Sequence, residues 1–132
     1  MAAHLTSFRV RFGELDPYQH VNHAVYVAYL EAGRTEALES IGLGLHVLAD
    51  LGWQIVVVDL QMRFRAAAQA GDTVTIETTV ADLGAVTSRW NQRILRGEQV
   101  LVEGSVRAGA TDLTGRPKRI PKELVDRLAQ LA

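Results

Sequence analysis

The 132-residue chain has no cysteine. That excludes disulfides, thiolate metal sites and a cysteine nucleophile, and it fits a cytoplasmic chain. Net charge is nearly absent too: the formal value is −1 at pH 7, so no global field recruits nucleic acid or an anionic membrane. Aromatic residues make up only 6% of the chain and do not interleave with basic ones, which disfavours a nucleic-acid module. No apolar run is long enough to span a bilayer, and the N-terminal MAAHLTSFRVRF lacks the apolar core of a secretory signal. There is no internal repeat, low-complexity tract or linker, so residues 1–132 are expected to form a single domain. The composition, 48% hydrophobic and 22% charged, suffices for one real core.

The informative stretch runs from Asp16 to Arg34, DPYQHVNHAVYVAYLEAGR. A strand is expected just before it, where Phe8, Val10 and Phe12 alternate with Arg9 and Arg11. Asp16-Pro17 marks a turn. Asn22 stands where a helix N-cap belongs, and a helix is expected from His23 to about Ile41. Its start leaves unpaired N–H groups at the positive end of the dipole. One carboxylate therefore lies close in sequence to a site suited to developing negative charge, a combination that fits acyl transfer. Ala24, Ala28 and Ala32 share a face, which with Gly33 suggests that a sheet wraps the helix on that side.

After Gly42 and Gly44 comes a short helical piece or loop, residues 46–51, and then the period changes. Four alternating runs begin near Val58, Val74, Val86 and Val100, separated by Gly71-Asp72, Gly84 and Gly97-Glu98. They predict successive strands of an antiparallel meander. A basic extended segment, GRPKRIP, leads to a last helix opened by Pro121. The class is α+β: five strands, one long helix and a short C-terminal helix.

The residues Asp16, His20, Val21, Asn22, His23, Tyr26, Tyr29, Glu31 and Arg34 form the pattern D-x-x-x-H-V-N-H-x-x-Y-x-x-Y-x-E-x-x-R. This resembles the hotdog-fold acyl-CoA thioesterases of the 4-hydroxybenzoyl-CoA thioesterase type, and the order of elements agrees along nearly the whole chain. The resemblance implies a long central helix wrapped by a curved five-stranded antiparallel sheet. It implies a homodimer, often paired into a homotetramer, with active sites at the subunit interface. The substrate would be a small-molecule acyl-CoA, hydrolysed to a free acid and coenzyme A with no other cofactor. Asp16 matches the catalytic aspartate, as nucleophile or general base, and His23 the residue whose backbone N–H polarises the thioester carbonyl.

Each of these residues has a plainer reading. Asp16 is also a good turn former, Asn22 a cap, and His20 a residue that orders the turn by hydrogen bonding. A metal site on His20, His23 and Asp16 is disfavoured, because H-x-x-H here lacks a helix beneath both residues and a third histidine nearby. Glu31 and Arg34 fit a surface ion pair or a place lining the site. His20, Asn22, Tyr26 and Glu31 are the substrate-contact candidates. Arg63, Arg65 and Arg89 are those for the CoA phosphates, against the alternative that they form the solvated face of a sheet. Two other functions stay open: an acyl-thioester binding module without hydrolysis, and a thioesterase acting on acyl-carrier protein. Hydratase chemistry on the same fold lacks its helix pattern here.

Overall fold

The computed structural model describes residues 3–132. Its strands are β1 (His4–Arg9), β2 (Gln54–Phe64), β3 (Thr73–Leu83), β4 (Thr87–Arg96) and β5 (Gln99–Thr111), and its helices α1 (His23–Ser40), α2 (Leu45–Asp50) and α3 (Lys122–Leu128). The strands form one antiparallel sheet in the order β1-β3-β4-β5-β2. A long helix lying on a five-stranded antiparallel sheet is the hotdog arrangement.

Several boundaries differ from expectation. β1 runs His4–Arg9 instead of Phe8 to Phe12, because β3 supplies partners only from Thr78 to Thr73. Phe12 instead starts a 3₁₀ turn, Phe12–Glu14, and stands exposed. Only β3, β4 and β5 form a meander. β2 pairs with β5 on the far edge, so Gly71-Asp72 belongs to a crossover and not to a hairpin. β2 also starts earlier than Val58, at Gln54, because its register shifts between Val57 and Asp59. The shift changes the alternation of the strand, which hides one continuous strand from a period-two reading.

α1 also buries a different face. Ala24 and Ala28 are exposed, while Tyr26, Tyr29, Leu30, Gly33, Ala37 and Leu38 are buried. Large apolar side chains gain more by leaving water than alanine methyls do, so they choose the face that meets the sheet. Gly33 does mark a close approach: a Cβ there would lie 2.5 Å from Ile76 Cγ2 on β3. Two clusters fill the space beneath α1. Tyr26, Tyr29 and Leu30 pack with Val74, Ile76, Ile94 and Val102. Further along, Ala37 and Leu38 join Leu48, Trp53, Trp90, Leu124 and Leu128, so α2 and α3 close the second half.

Candidate active site

The Asp16 turn is closed at its neck by an isolated antiparallel bridge between Leu15 and Val21. Inside it, Asp16 N–H donates to His20 O at 2.7 Å and Gln19 N–H to Asp16 O at 3.0 Å. Gln19 takes the left-handed backbone position, φ 66°. Asp16 Oδ1 accepts from Tyr18 N–H at 2.8 Å and His20 N–H at 3.2 Å. Oδ2 has no partner among the described residues. The turn-forming and chemical roles are therefore compatible: one oxygen organises the loop and the other stays available.

Two flanking segments fix the turn. On one side His20 bridges to Gln69, Val21 N–H donates to Ala68 O at 2.9 Å, and Ala68 N–H donates to Tyr26 Oη at 3.0 Å. Asp72 holds this crossover: its Oδ2 accepts from Gln69 N–H at 2.9 Å and from Arg96 Nη1 at 2.8 Å. On the other side Glu14 ties the turn to α1. Tyr29 Oη and Arg11 N–H each donate to Glu14 Oε1 at 2.8 Å, Arg11 Nη2 donates to Oε2 at 3.2 Å, and Asn22 N–H donates to Glu14 O at 2.9 Å.

These bonds set the acid sensitivity of the site. Burial alone would raise the Glu14 pKa. The hydrogen bonds from Arg11 N–H, Tyr29 and the Arg11 side chain outweigh it, and the carboxyl lies below its ordinary 4.5. Asp72 is held below 3.8, first by Gln69 N–H and then by Arg96. A carboxylate with a depressed folded-state pKa contributes stability that is fully present above its unfolded pKa and is lost as pH falls through the folded one. Stability should therefore drain away below about pH 4.5 as these two carboxyls take up protons, together with Glu77, Glu103 and Asp112, which hydrogen bonds hold below their ordinary values in the same way. Tyr29→Phe removes one bond that lowers Glu14 and should move the onset of acid unfolding upward, measured by circular dichroism across pH 2–6 (roughly the carboxylate range). An unchanged acid transition in that variant would show that the Tyr29 bond to Glu14 does not contribute to it.

The start of α1 completes the unit. Asn22 Oδ1 accepts from Ala24 N–H at 2.9 Å, so the expected cap forms. Val25 N–H is taken by Asn22 O at 2.9 Å. His23 N–H has no partner among the described residues, and the His23 side chain is exposed. It is an orphan donor at the positive end of an 18-residue helix, two links of chain past the turn that carries Asp16.

Asp16, His20, Asn22 and His23 thus lie in one hydrogen-bonded turn-and-helix unit. Tyr26 is 3% exposed, its hydroxyl occupied by Ala68 N–H and its ring set against Tyr29 and Phe64, which is the place of a bracing core residue. Glu31 is exposed two turns further along α1. Arg63, Arg65 and Arg89 alternate with inward-facing Met62, Phe64 and Trp90, so they lie on the sheet face away from α1. There Arg65 pairs with Glu103 at 3.1 Å, and Arg89 Nη1 donates to Ser105 Oγ at 2.9 Å. Lys118, in the basic segment, lies over the Trp53 ring at 4.3 Å. Sequence reasoning missed the Glu14–Tyr29 tie and the hydrogen bond from Arg34 to Gln92. Neither has a local signal, since the partners are 15 and 58 residues apart.

Comparison with known proteins decides the family. The model of the thioesterase-like superfamily matches residues 10–128. The chain belongs to the thioesterase-like superfamily. Among members, the long-chain acyl-CoA thioesterase FadM of Escherichia coli (strain K12) is 31% identical over 133 aligned positions, covering 96% of this chain and 97% of FadM. The chloroplastic acyl-acyl carrier protein thioesterase ATL3 of Arabidopsis thaliana is 30% identical over 92% of this chain, and the chain spans 65% of that relative's length. Among solved structures, the hypothetical protein TT1821 from Thermus thermophilus superposes with a TM-score of 0.91 at 34% identity, covering 97% of this chain and 98% of that one. Among the described residues no helix is long and apolar enough to cross a membrane.

Proposed function

We propose that the chain hydrolyses an acyl-CoA thioester to a carboxylic acid and coenzyme A. The observation that carries this reading is the pairing of a carboxylate oxygen and a helix-start N–H, both without partners among the described residues, in one braced unit. The thioester carbonyl oxygen accepts the His23 N–H, which steadies the charge that develops when the carbonyl carbon is attacked. In one route Asp16 takes a proton from water as the hydroxyl adds to the carbonyl. The tetrahedral intermediate then expels the CoA thiolate, which recovers that proton. In the other Asp16 attacks directly, displacing the thiolate and forming a mixed anhydride that water cleaves to the acid and free Asp16. Both routes balance without a redox partner. Membership of the superfamily and the likeness to FadM support the acyl-CoA substrate. The likeness to ATL3 keeps a carrier-protein thioester as a second reading, since the phosphopantetheine arm is common to both. The test is free-thiol release from a panel of aliphatic and aromatic acyl-CoA esters by wild type and Asp16→Asn side by side. Ligand binding with no release from any ester, carrier-protein thioesters included, would favour the non-hydrolysing module.

The working unit in this reading is a homodimer. β2 is an edge strand, and Val56, Val57 and Val58 on it are 40%, 52% and 56% exposed. An apolar edge with unpaired backbone groups is a template for another strand, and a second copy satisfies it symmetrically. Sedimentation should show a dimer or tetramer, and Val57→Lys should shift it toward monomer and lower activity with it. A wild-type monomer that is fully active would remove the dimer from the mechanism.

A further inference from the structure

α1 carries a polar feature that the thioester chemistry leaves unused. Arg34 lines a cavity of about 250 Å³ between α1 and the sheet. The apolar wall of that cavity includes Leu38, Ile55 and Trp90, and its other polar side chains are Glu31 and Thr35. Arg34 Nη1 donates to Gln92 Oε1 at 2.9 Å. Gln92 is 2% exposed and is itself fixed, donating to Leu30 O at 2.9 Å and Thr78 Oγ1 at 3.0 Å. Gln92 thus holds the guanidinium from below and uses one of its five N–H donors. The others have no partner among the described residues, and no ion pair reaches Arg34 there. Burial draws its pKa below the ordinary value while the charge of Glu31 pushes the other way. A guanidinium with free donors at the edge of an apolar cavity is costly unless an acceptor meets it; a planar fork matches a carboxylate or a phosphate, and the apolar wall of Leu38, Ile55 and Trp90 suits the end of an acyl chain.

We propose that this cavity is a specificity subsite for an acyl chain ending in a carboxylate, which the free edge of Arg34 recognises, so that the preferred substrates are mono-thioesters of dicarboxylic acids. The proposal rests on the acyl-thioester reading above. Arg34 lies eleven residues past His23, about 16 Å along the helix at ~1.5 Å per residue. Between them Val27, one turn before Glu31, and Phe64, whose ring lies against Tyr26, are exposed. They give an apolar track for the methylene groups joining thioester and carboxylate. Glu31 opposes an incoming anion, but it is exposed, where water and salt screen it.

The test compares ω-carboxyacyl-CoA with plain alkyl-CoA at two lengths, five and twelve carbons on the order of the spans at issue. Binding is followed through the combined fluorescence of Trp53 and Trp90 in the Asp16→Asn protein, and kcat/KM is measured in wild type. The expected result is a preference of about tenfold or more for the carboxylate-bearing ester at one of the lengths. The length that shows it tells whether the cavity is reached along one protomer or from a second copy. Arg34→Met should bring the ratio near one while leaving alkyl esters bound, Arg34→Lys should keep part of it, and Glu31→Gln should raise it. A purely structural Arg34 would weaken both esters alike and leave the ratio unmoved in all three variants, which overturns the proposal, as does a ratio near one in wild type. Where Arg34→Met fails to fold, Arg34→Lys and Glu31→Gln decide. Should wild type release no thiol from any ester, the hydrolase reading fails, while the binding ratio still judges the subsite.

Discussion

Asp16→Asn should fold and associate as wild type does and lose roughly 10²–10⁴-fold in kcat, the range expected when a positioned proton-transfer group is removed. The substitution is chosen to separate chemistry from structure. Asp16 Oδ1 accepts two backbone N–H groups, from Tyr18 and His20. An asparagine amide oxygen accepts the same two bonds, so the turn and its bridge between Leu15 and Val21 persist. What disappears is the anionic second oxygen. Asp16→Ala loses both functions and is the weaker test, because a misplaced His23 would also slow the reaction. The melting temperature of Asp16→Asn should stay near that of wild type, and KM should change little beside kcat. An unchanged kcat would reject Asp16 as nucleophile and as base together. A large fall in melting temperature alongside the lost rate would leave a structural explanation in place, and the Asx-turn geometry argues against that outcome.

The parts of this site that could be read from the chain are the ones built from neighbours in sequence. The Asp-Pro turn, the Asn22 cap and the start of α1 all depend on contacts spanning a few residues, and each stands where the pattern placed it. The strands of the second half were legible because half-buried antiparallel strands alternate strictly. The alternation is interrupted at the register shifts, between Val57 and Asp59 on β2, Val80 and Leu83 on β3, and Ile94 and Leu95 on β4. What the chain could not show were pairings across long separations. The placement of β2 beside β5 depends on which edge is free after β1 takes β3, a global choice with no local mark. The buried face of α1 was misjudged for a related reason. Small residues at i, i+4 spacing suggest close packing, but Ala24 and Ala28 lie outward while two tyrosines turn inward. The tyrosines are tolerable inside because partners from remote segments take their hydroxyls, Glu14 for Tyr29 and Ala68 N–H for Tyr26.

Gly33 shows where a local rule and a tertiary one compete, and the tertiary one should win by a measurable margin. In an isolated helix Gly33→Ala would gain about 1 kcal/mol from propensity. In this fold the new Cβ would stand 2.5 Å from Ile76 Cγ2, 3.1 Å from Ile76 Cβ and 3.1 Å from Gln92 Nε2. Ile76 is fully buried and β-branched, so it has no other rotamer to retreat into without disturbing the cluster around Leu30. Helix and sheet must separate instead, and overpacking of this kind costs roughly 1–3 kcal/mol, occasionally more. The separation also stretches the bond from Gln92 Nε2 to Leu30 O, which joins α1 to β4 through the core. Gly33→Ala should therefore lower the melting temperature by about 3–12 °C. Gly33→Val adds two further methyl groups at the same contact and should abolish a cooperative transition. Gly13→Ala is the control, since a Cβ there meets no heavy atom within 4 Å, and it should leave stability nearly unchanged. If Gly33→Ala proved as stable as wild type or better, α1 would lie further from β3 than the 2.5 Å approach implies. Activity then follows from the same contact, because α1 holds its first turn against the Asp16 loop only while its middle is pressed onto the sheet.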